Sequence, residues 1–365
     1  MLRLRLLCLK LARLYRLMLK RIIRRKDGNR VYFHQRVVEY RDAWRAASSA
    51  IGAEFTELSP TTWQIERDGR RTRLVNYLTE FDNPVALSMA GNKPLIHRLL
   101  AQKGLPVPDH VVFSLAEIEL AYRFLAAHPE GAVVKPAHGS AGLGVTTHVE
   151  TRADVRRAAV LASLYSAEIL IEALVPGECY RLLVLEGKLI HAVCRRGLRL
   201  RGDGVSTVLE LACRSGGKFN DRGERALRDD RNLRFTLGWQ GLTPGSVVEA
   251  GREFLLKTIP DERNSLVELR TVYNLTVTDR IGDALRQSAE EAAEIVRSDF
   301  VGVDVITPDP SLPLEQTGGA INELNTTPAL HHHYELLTDR FPAPTPNVLE
   351  ALLRRSHAGT LMQRQ

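Results

Sequence analysis

The chain has 365 residues, of which 44% are hydrophobic and 25% charged, a composition typical of a globular protein with two or three domains. Its four cysteines are widely separated and form no CxxC pair, which argues against a disulfide framework or a structural zinc site. This pattern predicts that the protein is located in the reducing cytoplasm. Residues 1–30 carry a net charge of +10 within a chain total of +7, so the other residues sum to about −3 and give no charge signal for nucleic-acid binding.

The first 26 residues, MLRLRLLCLKLARLYRLMLKRIIRRK, mix leucines and basic residues densely. No stretch approaches the ~20 apolar residues that span a bilayer, and no small-residue cleavage pattern of a secretory signal follows. Three interpretations stay open. The segment is a basic amphipathic helix on the inner, anionic face of a membrane, or a terminal helix whose leucines pack on the body or on a second subunit, or the product of a start codon assigned too early.

Residues 31–90 predict a small mixed α/β unit, with a helix near 35–50 and strands at 62–66 and 73–78. A further helix is predicted over 91–103, where Gly and Pro residues follow.

Two Ser/Thr–acid pairs have capping-box spacing and predict the starts of two more helices. They are Ser114 with Glu117 and Thr151 with Asp154.

The stretch AVVKPAHGSAGLGVTTHV (132–149) is apolar and β-branched on both sides of a glycine-rich turn, which predicts a hairpin. The turn is not a P-loop, because no Gly-Lys-Ser/Thr follows, but its backbone N–H groups can cradle phosphate oxygens; the alternative is a plain flexible hairpin. Lys135 closes the first strand of this hairpin and needs an anionic partner if it is buried. Lys93 opens the 91–103 helix and is a second candidate cation, the alternative being a solvated surface lysine.

IEALVPGE (171–178) runs from a strand into a Pro-Gly turn, where backbone groups can read an adenine edge; the alternative is an ordinary strand end. The polar, Gly- and Arg-rich stretch 197–245 predicts a long loop with a helix over a ligand site. A helix at 283–297 leads into the apolar strand VGVDVI at 301–306.

The stretch INELN places two polar residues, Glu323 and Asn325, two apart in a strand, so that they and Ile321 share one face. If 301–306 and this strand form a hairpin, Asp304 lies beside Glu323. Two carboxylates and an amide oxygen suit Mg²⁺ that is held partly by substrate phosphates. Taken alone, the acids are better explained as solvent-facing residues of an ordinary hairpin.

The order of these signals along the chain resembles the ATP-grasp superfamily over roughly residues 85–335. Within it the sequence is similar to the ATP-binding ligase domain of cyanophycin synthetases, and more distantly to D-alanine–D-alanine ligases and glutathione synthetases. The stretches that carry the resemblance are VVKPAHGSAGLGV, ILIEALVPGECYRLLVLEGKLIHAVCRR, GDGVSTVLEL and GVDVI…INELNTTPAL.

The resemblance implies an α+β ATP-grasp fold, in which two α+β subdomains clasp ATP behind a small N-terminal α/β domain and a basic N-terminal helix. The implied division is a basic segment (1–30), the N-terminal domain (31–90), the central subdomain (91–175), the C-terminal subdomain (176–350) and a tail (351–365).

The implied activity is an ADP-forming carboxylate–amine ligase that works through an acyl phosphate on an amino acid or short peptide. An ATP-grasp kinase or phosphotransferase is one alternative. A catalytically inactive, membrane-associated nucleotide-binding scaffold is the other.

The resemblance also assigns roles by position. Lys93 and Lys135 would contact the phosphates, and the loop that covers them would consist of Gly139, Ser140, Ala141, Gly142 and Gly144. The adenine hinge would be formed by Glu172, Ala173, Leu174 and Val175. Two Mg²⁺ ions (or Mn²⁺) would be bound by Asp304, Glu323 and Asn325, and the transferring phosphate or the substrate carboxylate would be contacted by Arg181, Arg195 and Arg196.

The sequence departs from the family pattern at two places. Relatives place an acid for the ribose where this chain has Cys179, so Glu178 is the candidate substitute. The stretch 270–282 lacks the paired glycines of relatives. His331 and His332 lie where the family contacts its acceptor substrate, and one of them is a candidate substrate contact or base.

Three adjacent histidines at 331–333 also invite a zinc interpretation, but adjacent side chains diverge and rarely ligate one metal together.

Relatives often form dimers or tetramers, which leaves a homo-oligomer open. Cyanophycin synthetases carry a second ligase domain that this sequence lacks, so polymer synthesis is not implied.

Overall fold

The structure is a computed structural model that describes residues 2–23, 29–139, 142–215, 231–257, 274–333 and 344–362. The helices of this part of the chain are α1 (Leu2–Ile23), α2 (Asn29–Ala50), α3 (Pro84–Ala90), α4 (Lys93–Gln102), α5 (Ile118–Ala127), α6 (Arg152–Ala162), α7 (Val208–Ser215), α8 (Arg231–Gly238), α9 (Asp283–Ile295), α10 (Leu314–Thr317) and α11 (Thr345–Met362). The strands are β1 (Glu54–Ser59), β2 (Thr62–Arg67), β3 (Arg70–Val75), β4 (His110–Phe113), β5 (Ala132–Pro136), β6 (Thr146–Val149), β7 (Ile169–Ala173), β8 (Glu178–Leu185), β9 (Lys188–Arg195), β10 (Leu198–Arg201), β11 (Glu253–Lys257), β12 (Asn274–Thr276), β13 (Phe300–Thr307) and β14 (Ala320–Asn325).

The N-terminal unit packs α2 on a three-stranded antiparallel sheet in the order β1-β2-β3. Alternation in β2 turns Trp63 and Ile65 inward, and both are fully buried. The helix predicted near 35–50 and the strand predicted at 62–66 are present, whereas the strand predicted at 73–78 is β3 at 70–75 and β1 was not predicted. Helix α11 packs in the same core and buries Leu352 and Leu353, so the predicted tail begins inside a helix.

The central sheet has the antiparallel order β4-β7-β5-β6 and is covered by α5 and α6. Both predicted capping boxes are present. The first of them opens a short 3₁₀ turn at 115–117 that runs into α5, and the second opens α6 directly. Local sequence therefore fixes where these two helices begin.

The five-stranded sheet has the order β12-β9-β8-β13-β14, and its neighbours are antiparallel. Alternation along β8 sends Leu182 and Val184 to a core with α4 and α9, and Leu183 and Leu185 to the core of the N-terminal unit. Burial on both faces explains why these strands read as continuous apolar runs. Arg181 stands on the second face, where the polar site begins.

Residues 198–257, as far as the structure describes them, form a small module with its own core. The pair β10–β11 packs with α7 and α8 around residues such as Val208, Leu237 and Phe254. The prediction of a long loop with one helix was wrong here, because the apolar positions of this polar stretch are spread too widely to show its core. The module meets the central sheet where the His148 ring stacks on Trp239, with ring centroids 3.8 Å apart.

Helix α1 lies against the central subdomain through Leu9, which is buried in the core of α5 and α6. In the described part of the chain no helix is both long enough and apolar enough to cross a bilayer.

Candidate active site

The central sheet contributes a buried lysine. Lys135 on β5 is 3% exposed, and its Nζ lies 2.7 Å from Oε1 of Glu172 on β7 and 3.0 Å from Oδ1 of Asn322 on β14. The anionic partner that the sequence demanded is therefore Glu172. The second oxygen of this carboxylate, Oε2, is buried and has no hydrogen-bond partner among the described residues. A buried carboxylate oxygen without a donor is a place where a ligand donor fits.

Helix α4 contributes the second lysine. The Asn92 side chain caps this helix by accepting from the Leu95 backbone N–H at 3.1 Å, which fixes Lys93 at its first position. Lys93 Nζ donates to the Gly139 carbonyl at 2.6 Å and lies 3.5 Å from Oε1 of Glu323. Both predicted lysines thus reach β14, Lys135 from the central sheet and Lys93 from helix α4.

The glycine-rich turn joins β5 and β6 as an antiparallel hairpin, as predicted. Gly139, Gly142 and Gly144 all have positive φ angles, which favour glycine. At Gly144 a Cβ would also come within 2.8 Å of the Tyr165 ring. Ser140 and Ala141 lie outside the described residues.

The predicted pairing of the two acids is confirmed. Strands β13 and β14 are antiparallel neighbours, and Asp304 is the register partner of Glu323. Asn325 lies opposite Gly302, two residues further along β14. Its amide Nδ2 donates to Asp304 Oδ2 at 3.4 Å, so the amide and both acids meet on one face.

The predicted common face of Ile321 and Glu323 was wrong. The register shifts between Asp304 and Val305, so Asn322 is an extra residue without a partner in the ladder, and Ile321 turns into the core with Leu324. A β-bulge of this kind re-aims one side chain, here Asn322 toward Lys135. The sequence signal is only that Asn322 stands beside an acid in a strand, which does not reveal a bulge.

A histidine holds the bulge from behind. His97 on α4 is fully buried, and its Nε2 donates to the Asn322 carbonyl oxygen at 3.1 Å. Burial, with the nearby Lys135 ammonium, lowers the pKa of His97 to about 3. The ring is therefore neutral at neutral pH and fixes the backbone of β14 without adding charge.

Asp304 is held by two arginines. Arg181, its register partner on β8, makes a two-pronged contact with the carboxylate, and Nη2 lies 2.7 Å from Oδ2. Arg195 Nη1 lies 3.5 Å from the same oxygen. Burial opposes ionisation of Asp304, but the Arg181 guanidinium outweighs it, so the pKa of the carboxyl lies below its ordinary value.

A missing side chain makes room for Arg181. Gly302 lies on β13 next to the guanidinium, and a Cβ there would stand 2.9 Å from Arg181 Cδ. The sequence analysis did not single out Gly302, because a glycine inside an apolar strand carries no sign of which neighbour crosses it.

The structure separates Arg196 from Arg181 and Arg195. Its Nε lies 3.8 Å from Oε1 of Glu178, and Arg199, which the sequence analysis missed, donates to the same oxygen at 2.7 Å. Cys179 follows on β8, and burial raises the pKa of its thiol to about 12. The thiol is therefore neutral, so any acidic contact to a ribose at this place falls to Glu178.

The three histidines lie in a 3₁₀ turn at 330–333 and point to different partners. His331 Nδ1 is 2.8 Å from the Tyr40 hydroxyl, and the His332 carbonyl accepts from the Asn274 amide at 2.6 Å. His333 Nδ1 is 2.9 Å from His191 Nδ1, and burial lowers its pKa well below the ordinary value. Across the described residues no group of three or more His, Cys, Asp or Glu side chains is arranged so that it could hold a metal ion.

The chemistry of the donor set fits Mg²⁺. Asp304, Glu323 and Asn325 present carboxylate and amide oxygens from adjoining strands, which are the donors this cation prefers. The Glu323 side chain is 23% exposed and so accessible to a cation. A separate hollow of about 410 Å³ lies between α2 and the β1–β2 turn, and its lining has no such set of oxygen donors.

No family model matches the chain. It is 28% identical over 276 residues to the cyanophycin synthetase of Crocosphaera subtropica, covering 72% of this chain and 30% of that protein. It is 27% identical over 291 residues to the glutathione biosynthesis bifunctional protein GshAB of Streptococcus thermophilus, covering 77% of this chain and 38% of that protein. The chain thus spans about a third of the length of these relatives.

Among solved structures, a bifunctional glutathione synthetase from Pasteurella multocida matches with a TM-score of 0.55 at 22% identity, over 87% of this chain and 43% of that one. The fold of this chain is the α+β ATP-grasp fold, as its motifs implied. The resemblance to ATP-grasp ligases, and to cyanophycin synthetases within them, is confirmed by these sequence matches.

Proposed function

We propose that the chain is an ADP-forming ATP-grasp ligase that joins a carboxylate to an amine through an acyl phosphate. One observation carries the proposal. Two lysines of the central sheet and helix α4 reach β14 of the five-stranded sheet, where Lys135 meets Asn322 at 3.0 Å and Lys93 meets Glu323 at 3.5 Å. Two cations, one on the central sheet and one on helix α4, therefore lie beside the polar side chains of β14 in one site, which suits a nucleotide held between the two sheets.

The central sheet would bind the nucleotide. Lys93 and Lys135 would neutralise its phosphates, and the N–H groups of the glycine turn would cradle the terminal phosphate. Ala173, Leu174 and Val175 would read the adenine edge with their backbone. The unpartnered Oε2 of Glu172 stands beside this hinge and would accept from an exocyclic amino group.

Asp304, Glu323 and Asn325 would hold the divalent cation, with two Mg²⁺ ions as the proposed number and Mn²⁺ as a substitute. Bound Mg²⁺ supplies charge neutralisation and orientation of the phosphates. For Asp304 to join such a site, Arg181 has to give up part of its two-pronged contact. Glu323 needs no such exchange with an arginine.

The reaction has two displacements. A carboxylate oxygen of the substrate attacks the γ-phosphorus, the bond from that phosphorus to the bridging oxygen breaks, and ADP leaves. The amine then attacks the acyl carbon, phosphate leaves, and the nitrogen loses a proton. Arg181 and Arg195 would stabilise charge on the transferring group, a task that suits the guanidinium fork.

An amino acid or short peptide is the proposed carboxylate substrate. His331 and His332 are the proposed acceptor contacts, and the hydrogen bond from Tyr40 would orient the first of them.

A kinase that stops after phosphorylation needs the same nucleotide site. An inactive scaffold would have no need for both acids and both lysines in contact. The cytoplasm is the proposed compartment, because the four cysteines are free thiols.

The test is release of ADP and phosphate by the purified protein with Mg·ATP and pooled amino acids and dipeptides. The ligase predicts release that requires both a carboxylate and an amine and that disappears in Glu323→Ala. Glu315→Ala, a change at an exposed glutamate just before β14, should leave release unchanged. Release with one acceptor and a stable phosphorylated product would instead identify a kinase, and absence of turnover with every pool would contradict the ligase.

A further inference from the structure

One side of α1 is committed to the protein body. Leu9 is 9% exposed and packs in the core of the central sheet. Arg13 Nε donates to the carbonyl of Ser163, at the end of α6, at 3.2 Å. These contacts fix which side of the helix faces outward.

The outward side carries a continuous apolar stripe. Its members recur every three or four residues, which places them along one line of a helix. They are Leu7, Leu11, Leu14, Tyr15 and Met18, with exposures of 51%, 55%, 55%, 63% and 67%. The stripe is about 16 Å long at the rise of an α-helix. A contiguous apolar surface of this kind on a terminal helix marks a binding face.

Charge selects the partner. Residues 1–30 carry a net charge of +10, and Lys10 is exposed beside the stripe. Two copies of this segment brought face to face would repel each other, whereas an anionic surface would attract it. An aromatic ring among leucines, as at Tyr15, is typical of a helix in the membrane interface.

We propose that α1 docks the protein on an anionic lipid surface, with the stripe from Leu7 to Met18 in the boundary between headgroups and acyl chains. The helix lies on the bilayer and does not cross it. Leu9 and Arg13 keep their contacts with the body, so the helix binds lipid and protein on opposite sides at once. The proposal is independent of the ligase activity.

The test is co-sedimentation of the full chain with vesicles of phosphatidylcholine that contain or lack phosphatidylglycerol. Binding should require the anionic lipid and weaken as salt rises. Leu11→Asp with Leu14→Asp should reduce binding by about tenfold or more, since two apolar contacts are lost and negative charge is added. Tyr15→Asp with Met18→Asp should act in the same direction.

The matched control is Leu58→Asp with Leu87→Asp, two leucines of similar exposure on β1 and α3. This variant should bind vesicles like the unchanged chain, and all variants should keep the same thermal unfolding. Absence of binding, or equal binding by the stripe variants, would overturn the proposal. A dimer in light scattering that the stripe variants dissociate, without vesicle binding, would overturn it in favour of a second copy of the chain.

Discussion

The two sheets that meet at the site hold their charges in opposite ways. In the central sheet a buried lysine, Lys135, is balanced by one acid, with both side chains 4% exposed. In the five-stranded sheet a buried acid, Asp304, is contacted by two arginines, and only its neighbour Glu323 is accessible, at 23% exposure. The first sheet therefore holds its lysine as one half of a buried ion pair, while in the second sheet one acid is occupied by arginines and the other is accessible to a cation.

The largest effect is expected at the saturated acid. Asp304→Asn removes the buried carboxylate that Arg181 and Arg195 contact, which should destabilise the fold by about 3–5 kcal/mol and lower turnover at least about 100-fold. Denaturant unfolding and ADP release measure the two effects.

The matched control is Asp299→Asn, just before β13. The Asp299 Oδ2 atom lies 2.8 Å from Nη1 of Arg355, and both side chains are half exposed. Its loss should cost no more than about 1 kcal/mol. Equal destabilisation by both changes would mean that Asp304 is not the charge that holds this sheet.

The Lys135–Glu172 pair should behave as one unit. Lys135→Met leaves a buried carboxylate alone and should cost about 3–5 kcal/mol, whereas Lys135→Met with Glu172→Leu should cost clearly less than the two single changes added together. A double-mutant cycle of unfolding free energies measures the difference. Additive costs would show that the two charges are not coupled.

A substitution at Gly302 tests the contact between Arg181 and Asp304 without changing either charge. Gly302→Ala should push Arg181 off its line to Asp304, because the new Cβ would stand 2.9 Å from Arg181 Cδ. The expected stability cost is about 1–3 kcal/mol, with turnover falling further than stability explains. Gly238→Ala, where the added Cβ meets nothing within 4 Å, is the control. Unchanged turnover in Gly302→Ala would separate Arg181 from the reaction.

The smallest effect concerns the histidine behind the bulge. The pKa of His97 is lowered from 6.5 to about 3 in the folded protein. Between pH 6.5 and 3 the His97 ring is therefore protonated in the unfolded chain but remains neutral in the folded chain. Its contribution to stability is complete above pH 6.5 and is lost as the pH falls toward 3, with a slope of up to about 1.4 kcal/mol per pH unit. His97→Gln should flatten that slope.

The comparison variant is His138→Gln, whose ring is exposed and bonded to Glu168 at the surface. Unfolding free energies measured across this pH range compare the two. If both variants kept the original slope, the burial of His97 would not control acid stability.

Local rules predicted the parts of the molecule that depend on neighbours in sequence. Capping pairs gave the starts of helices, and alternation with hairpin pairing placed Asp304 beside Glu323. The bulge at Asn322 could not be predicted, because it depends on how Ile321 and Leu324 fill a core built from distant segments. The same holds for Arg196, which is drawn to Glu178 and away from the other two arginines by contacts within its own edge of the sheet.

Activation of a carboxylate by ATP is tested most directly with a substrate carboxylate that carries heavy-oxygen label. An acyl phosphate predicts that each turnover moves one labelled oxygen from the carboxylate to the released phosphate, with ADP formed in equal amount and the rest of the label kept in the amide product. Phosphate free of label during amide formation, or label retained entirely in a phosphorylated product, would contradict the ligase mechanism.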